Sequence, residues 1–185
     1  MIDDLITDAT RRMDKSVEST QNEFNTVRTG RASAALLDRI TVDYYGQQTP
    51  LQQLATINVP EPRLLTIQPF DPNSIKEIER AIQESELGLT PSNDGKVIRL
   101  PIPQLTEERR KELVKVVRQI AEDGKVAIRN VRRDADKHLK ELKTKGEVGE
   151  DDERRAEDRV QKLTDEHTGK IDDLLKRKEA EITEV

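Results

Sequence analysis

The chain contains no cysteine and no tryptophan, and its 185 residues include only two tyrosines, two phenylalanines and two histidines. Without cysteine there is no disulfide framework, no thiolate zinc site and no thiol nucleophile. The histidines, His138 and His167, stand far apart with no cysteine to join them, so no metal centre is expected. Nothing approaches the run of about 20 apolar residues that a membrane-spanning helix needs; the uncharged stretch from Thr49 to Pro60 carries Gln, Asn and Pro. The opening MIDDLITDATRR is acidic and amphipathic, the reverse of a secretory leader, which makes a cytoplasmic location the expectation. Gly95-Lys96, Gly124-Lys125 and Gly169-Lys170 all lack the glycine five residues earlier that a phosphate-cradling loop requires. Neither G-x-S-x-G nor G-x-G-x-x-G occurs, so neither an enzyme nor a cofactor is expected.

What is abundant is charge: 37 Asp+Glu against 32 Lys+Arg, for a formal net charge of −5, with hydrophobic residues at only 33 %. So few apolar residues suit an extended molecule better than one large core. All eight prolines and three of the four aromatics (Tyr44, Tyr45 and Phe70) fall between Tyr44 and Pro103. Helix interiors exclude proline, so the flanks read as long helices and the middle as strands and turns.

In the first flank Ile2, Leu5, Ile6, Ala9, Met13, Val17, Thr20, Phe24 and Val27 recur at steps of three and four, which predicts one helix reaching Thr29 and stopping at Gly30. A second helix opens at Leu105, with Thr106 as N-cap and Glu107 and Glu108 favourable to the macrodipole. Its stripe of Leu113, Val117, Ile120, Ala127, Ile128, Val131, Ala135, Leu139 and Leu142 runs to Lys145-Gly146. At a rise of about 1.5 Å per residue this helix is roughly 60 Å long. Gly124 inside it costs up to about 1 kcal/mol relative to Ala and reads as a weak point. The third helix starts in the acidic cluster Glu150 to Glu153 and continues through Ala156, Val160, Leu163, His167, Ile171, Leu174, Leu175 and Ile182, with His167 as a packed core histidine. Such narrow stripes must pack on one another.

In the middle, Ile40, Val42 and Tyr44 alternate with Thr41, Asp43 and Tyr45 as a strand. Leu54 to Val59 and Leu64 to Phe70 read as strands around a Pro60-Glu61-Pro62 turn, the second placed near an edge by Pro69. A short helix opens at Asp71 to Ser74, turns Ile75, Ile78 and Ile82 inward and closes at Gly88, and Val97 to Leu100 is the last strand. Residues 31–104 thus read as an α/β unit inserted between the first and second long helices. The connections at Gly30-Arg31 and at Pro101, Pro103 and Leu105 form a restricted hinge.

Charge is unevenly spread. Residues 105–145 carry 13 basic and 8 acidic side chains, while residues 146–185 carry 8 and 14. A helical wheel places Lys111, Arg118, Lys125, Arg129 and Arg132 along one edge of the second helix, with Arg133 further round, a ridge suited to a phosphate backbone. The same run also suits a solvated face paired with Glu112, Glu122 and Asp136, as on a helical scaffold that binds a coiled-coil partner. Few aromatics are available for stacking on unpaired bases, so any nucleic acid is expected to be gripped by backbone and shape.

Several longer motifs go further. Arg28-Thr29-Gly30-Arg31-Ala32-Ser33, Asp43-Tyr44-Tyr45-Gly46, Leu105-Thr106-Glu107-Glu108-Arg109-Arg110-Lys111, Arg129-Asn130-Val131-Arg132-Arg133-Asp134-Ala135 and Val160-Gln161-Lys162-Leu163-Thr164-Asp165 together resemble the bacterial ribosome recycling factor family, in order and across the whole chain. The resemblance implies an α+β fold of two domains, a long antiparallel three-helix bundle from residues 1–30 and 105–185 and an inserted small β/α/β domain from 31–104, together an L-shaped monomer of roughly transfer-RNA size. It would bind the large ribosomal subunit after termination and, with elongation factor G and GTP, split the post-termination complex. It also implies that Arg129 and Arg132, with Arg110 and Arg133 nearby, meet 23S ribosomal RNA, and that Arg28 and Arg31 lie where the first helix reaches the hinge.

Overall fold

The computed structural model describes residues 1–183. The chain divides into two compact units, one made of Met1–Thr29 and the chain from Glu107 onward, the other of Gly30–Thr106.

The first unit contains helices α1 (Ile2–Thr26), α3 (Glu107–Thr144) and α4 (Glu150–Thr183). Arg12 reaches Asp134 and Thr20 faces Gly124, so α3 runs antiparallel to α1; Asp3 reaches Arg159 and Asp14 reaches His167, so α4 runs parallel to it. Helix α1 ends earlier than its periodicity suggests: Val27 is already extended, and Gly30, at φ +77°, lies beyond the helix. Helix α3 ends in a Schellman motif. Gly146 N–H donates to Lys143 O and Glu147 N–H to Leu142 O, with Gly146 in the left-handed region at φ +73°.

The buried stripe of α3 is shifted from the expected one. Ile120 and Ala127 are only half-buried, and Ala121 and Gly124 take core positions. Gly124 is no weak point. It sits where α3 packs against both other helices: a Cβ there would collide with Thr20 Oγ1 on α1 and stand 3.0 Å from Ile171 Cδ1 on α4. That overlap outweighs the propensity an alanine would gain. On α4, Leu163, Leu174 and Leu175 are half-buried, and the core takes Glu153 and Thr164 besides the expected Ala156, Val160, His167, Ile171 and Ile182. Glu153 is only 7 % exposed and faces Lys143 Nζ at 3.5 Å. The acidic cluster thus serves packing as well as the macrodipole.

The second unit is richer than a β/α/β motif. Strands β1 (Thr41–Tyr44) and β2 (Gln47–Pro50) form a hairpin. Strands β3 (Ala55–Glu61), β4 (Leu64–Pro69), β5 (Ser92–Asn93) and β6 (Ile98–Pro101) form an antiparallel sheet in the order β3-β4-β6-β5, accompanied by α2 (Ile75–Glu84). The turn is at Pro62-Arg63. Pro60 lies inside β3, where the register shifts between Asn58 and Glu61. Nor does Pro69 mark an edge: β4 is interior, and Pro69 is its last residue, beyond the stretch that pairs with β6. Asp71 accepts from Asn73 N–H and Pro72 follows it, which starts the chain toward α2; the helix stops at Glu84, ahead of Gly88. Ile75, Ile78 and Ile82 then pack with Val42, Leu51, Leu65, Ile67, Ile98 and Leu100 in one apolar core.

Candidate nucleic-acid interface

Lys111, Arg118, Lys125, Arg129, Arg132 and Arg133 share one side of α3, and the structure sorts them by what they meet. Arg118 and Lys125 turn toward α4. Arg118 Nε pairs with Glu179 Oε1 at 2.7 Å, and Lys125 pairs with Asp172. Arg129 pairs within its own helix, Nη1 to Glu122 Oε1 at 3.1 Å. Arg132 Nη1 donates to a neutral partner, Gln161 Oε1, at 3.4 Å. Among the described residues, exposed Arg133 reaches only the Asn130 amide oxygen, at 3.5 Å, and Lys111 is exposed.

Arg110 stands apart from this group. It lies seven residues before Val117, on the buried stripe, with its Nε enclosed and lacking a hydrogen-bond partner. Of the acids that could have paired with the ridge, Glu112 is bound by Arg109 at 2.9 Å and Glu122 by Arg129. Burial raises the Asp136 carboxyl above the ordinary carboxylate range, against the opposing charges of Arg132 and Lys140. Arg129, Arg132 and Arg133 thus form a compact cationic group at spacing i, i+3, i+4; among the described residues Arg129 alone of the three closes an ion pair, an exposed one, while Arg132 feels the charge of Asp136 without pairing with it. Phosphate can displace so exposed a pair, because such pairs contribute no more than about 1 kcal/mol.

The predicted connection residues show a second arrangement. Ala32 N–H donates to Pro62 O and Ile102 N–H to Arg63 O, so the segments leaving Gly30 and approaching Leu105 are both fastened to the β3–β4 turn. Gly30 lies against Leu105: a Cβ there would be 2.9 Å from Leu105 Cγ, at a φ that side chains rarely adopt. Arg28, Arg31, Pro101 and Pro103 are exposed along the same two segments.

The Asp43-Tyr44-Tyr45-Gly46 motif is a two-residue hairpin turn. Tyr45 has φ +50° and Gly46 φ +84°, and Asp43 Oδ1 accepts from Gly46 N–H. Both tyrosine hydroxyls donate to Asp71 Oδ2, at 3.1 and 3.3 Å. Asp71 is held below the usual carboxylate range, first by the Asn73 N–H and then by these hydroxyls. Tyr45 is 78 % exposed and Phe70 67 %, so two of the four aromatics face solvent.

Sequence reasoning missed the partners on α4. Asp172, Glu179 and Gln161 become visible only once α3 and α4 are aligned in height, although the seven-residue interval between Asp172 and Glu179 matches that between Lys125 and Arg118.

Among the described residues no group of three or more His, Asp or Glu side chains is arranged to hold a metal ion, and no helix is long and apolar enough to cross a membrane. Residues 20–183 match the family model described as ribosome recycling factor. The chain is 57 % identical over 180 residues to the ribosome-recycling factor of Rubrobacter xylanophilus, covering 97 % of each chain. It is 60 % identical over 173 residues to that of Synechocystis, covering 94 % of this chain and 95 % of the relative. A solution structure of the ribosome recycling factor superposes with a TM-score of 0.74 at 45 % identity, covering 100 % of this chain and 98 % of the other. A second similar structure is the T. thermophilus factor with E. coli elongation factor G on the E. coli post-termination complex, with a TM-score of 0.65, 48 % identity and 98 % of each chain covered. On this likeness, which extends from end to end, the chain belongs to the ribosome recycling factor family.

Proposed function

We propose that this protein is a cytoplasmic translation factor that binds the large ribosomal subunit after termination and, with elongation factor G and GTP, separates the post-termination complex into subunits. Family membership over the full chain is the observation that carries this reading. A relative bound to the post-termination complex beside elongation factor G supports the choice of partners. No nucleotide-binding loop occurs in the sequence, so GTP hydrolysis is assigned to the partner.

For the contact with 23S ribosomal RNA we assign Arg129, Arg132 and Arg133. Their guanidinium groups are the cations on α3 best placed to exchange weak partners for phosphate oxygens. Lys111 would add charge along the same side, while Arg118 and Lys125, already paired with α4, and Arg110, on the buried stripe, would serve the bundle first. The crossings at Gly30-Arg31 and at Pro103 to Leu105 would be the joint through which force from the GTPase reaches the RNA-bound helices.

The direct test mixes the purified protein, elongation factor G and GTP with post-termination ribosomes and follows free subunits by sedimentation. Arg132→Glu should abolish co-sedimentation with large subunits while leaving the helical circular dichroism unchanged. Undiminished binding would remove Arg132 from the interface.

A further inference from the structure

Toward α4, helix α3 presents Arg118, Lys125 and Arg132 at intervals of seven. Helix α4 runs the opposite way and carries Asp165, Asp172 and Glu179 at the same interval. Two rungs close as ion pairs, Arg118 with Glu179 and Lys125 with Asp172. Each step of seven along α3 is a step of seven back along α4, so the acid that continues the series opposite Arg132 is Asp165. That rung stays open. Gln161 stands between the two: its Nε2 donates to Asp165 Oδ1 at 2.9 Å, and its Oε1 accepts from Arg132 Nη1 at 3.4 Å. Asp136, one turn along α3, lies near enough to feel the charge of Arg132, but among the described residues it closes no ion pair with it, and its Oδ1 is enclosed without a hydrogen-bond partner.

The chemistry of the amide makes this more than an ordinary i, i+4 surface pair. Asp165 accepts from the NH2 group and so fixes which end of Gln161 faces Arg132. The carbonyl can then steady the guanidinium without cancelling its charge, whereas a carboxylate in its place would have to be displaced before a phosphate could bind. We propose that Gln161 is a positioning residue for nucleic-acid binding: by engaging Asp165 and Arg132 at once it prevents the third ion pair and keeps the charge of Arg132 available. The inference rests on the reading of Arg132 as an RNA contact given above.

The test measures binding of the full-length protein to purified large ribosomal subunits across a salt series, with melting temperature as a control. Gln161→Ala frees Asp165 to pair with Arg132. Binding should weaken about three- to fivefold, the range an exposed ion pair commands, and the melting temperature should not fall. Adding Asp165→Asn should restore the lost affinity, which no purely structural role of Gln161 would explain. In the free protein, Gln161→Ala should also slow rotation of the Arg132 guanidinium as seen by NMR. Unchanged binding by Gln161→Ala, with Arg132→Ala still impaired, would overturn the positioning role; so would a double variant no better than Gln161→Ala. If Arg132→Ala itself binds normally, the assignment of the RNA contact fails first and the role of Gln161 falls with it.

Discussion

The sheet unit is filled by Leu37, Val42, Leu51, Leu65, Ile67, Ile78, Ile82, Ile98 and Leu100, all fully buried, and Ser74 is its one buried polar residue among those described. The helical unit buries Thr20, Glu153, Thr164 and His167 among its apolar side chains. The contrast follows from how each architecture sets its register. Backbone ladders align the strands residue by residue, so the side chains between sheet and helix need only fill space. Three long helices with similar apolar residues at recurring intervals could slide by a turn and bury nearly the same surface. Polar contacts at fixed heights remove that freedom: His167 Nε2 lies 2.7 Å from Asp14 Oδ1 on α1, its Nδ1 lies 2.7 Å from Leu163 O, and Glu153 faces Lys143 on α3.

The largest effect that would sharpen this contrast is expected in the sheet unit. Ile78→Ala, at a fully buried position, should cost about 2–5 kcal/mol. The loss should appear as early denaturation of the sheet unit, with the helical dichroism of the bundle largely retained; a single common transition would show that the units do not melt separately. Next comes His167→Leu, which keeps the packing volume but removes both ring contacts and should cost about 1–3 kcal/mol. If the polar pair sets the register, denaturant unfolding should also lose cooperativity, so equal stability and an unchanged slope would break the comparison. The smallest effect concerns Asp94, whose carboxylate accepts from Val97 and Lys96 N–H groups and is thereby lowered from 3.8 to about 2. A carboxyl with a depressed folded-state pKa stabilises above its unfolded value and loses that contribution as protons bind. Amide exchange at Lys96 and Val97 should therefore rise as pH falls from 3.8 toward about 2, beyond the change intrinsic to pH, while amides of α3 are unaffected.

How legible these features are depends on how local their causes are. The stripes of α1, α3 and α4 follow from spacing within one segment, and so does the inward face of α2. Strand β2, Gln47–Pro50, has no apolar alternation to announce it and exists because the Tyr45-Gly46 turn folds it onto β1. Pro69 suggests an edge because a proline breaks a ladder, yet the break falls at the end of β4, where no bond to β6 is required. Gly124 looks like a defect to any rule that weighs one helix at a time; its purpose belongs to Thr20 and Ile171 on two other helices. The candidate site divides in the same way. The cationic side of α3 can be drawn from the sequence alone, but which of its charges are cancelled depends on the heights of Glu179, Asp172 and Gln161 on a helix running the other way.

The irregularity of β3 also bears on solubility. As one border of the four-stranded sheet, a straight β3 would offer a row of unpaired amides to any extended chain. Pro60 has no N–H to donate, and the register shift between Asn58 and Glu61 interrupts the regular row. The opposite border, β5, is two residues long, too short to template a partner. Both borders therefore resist edge-to-edge aggregation, and the sheet can stay small without recruiting strands from another molecule.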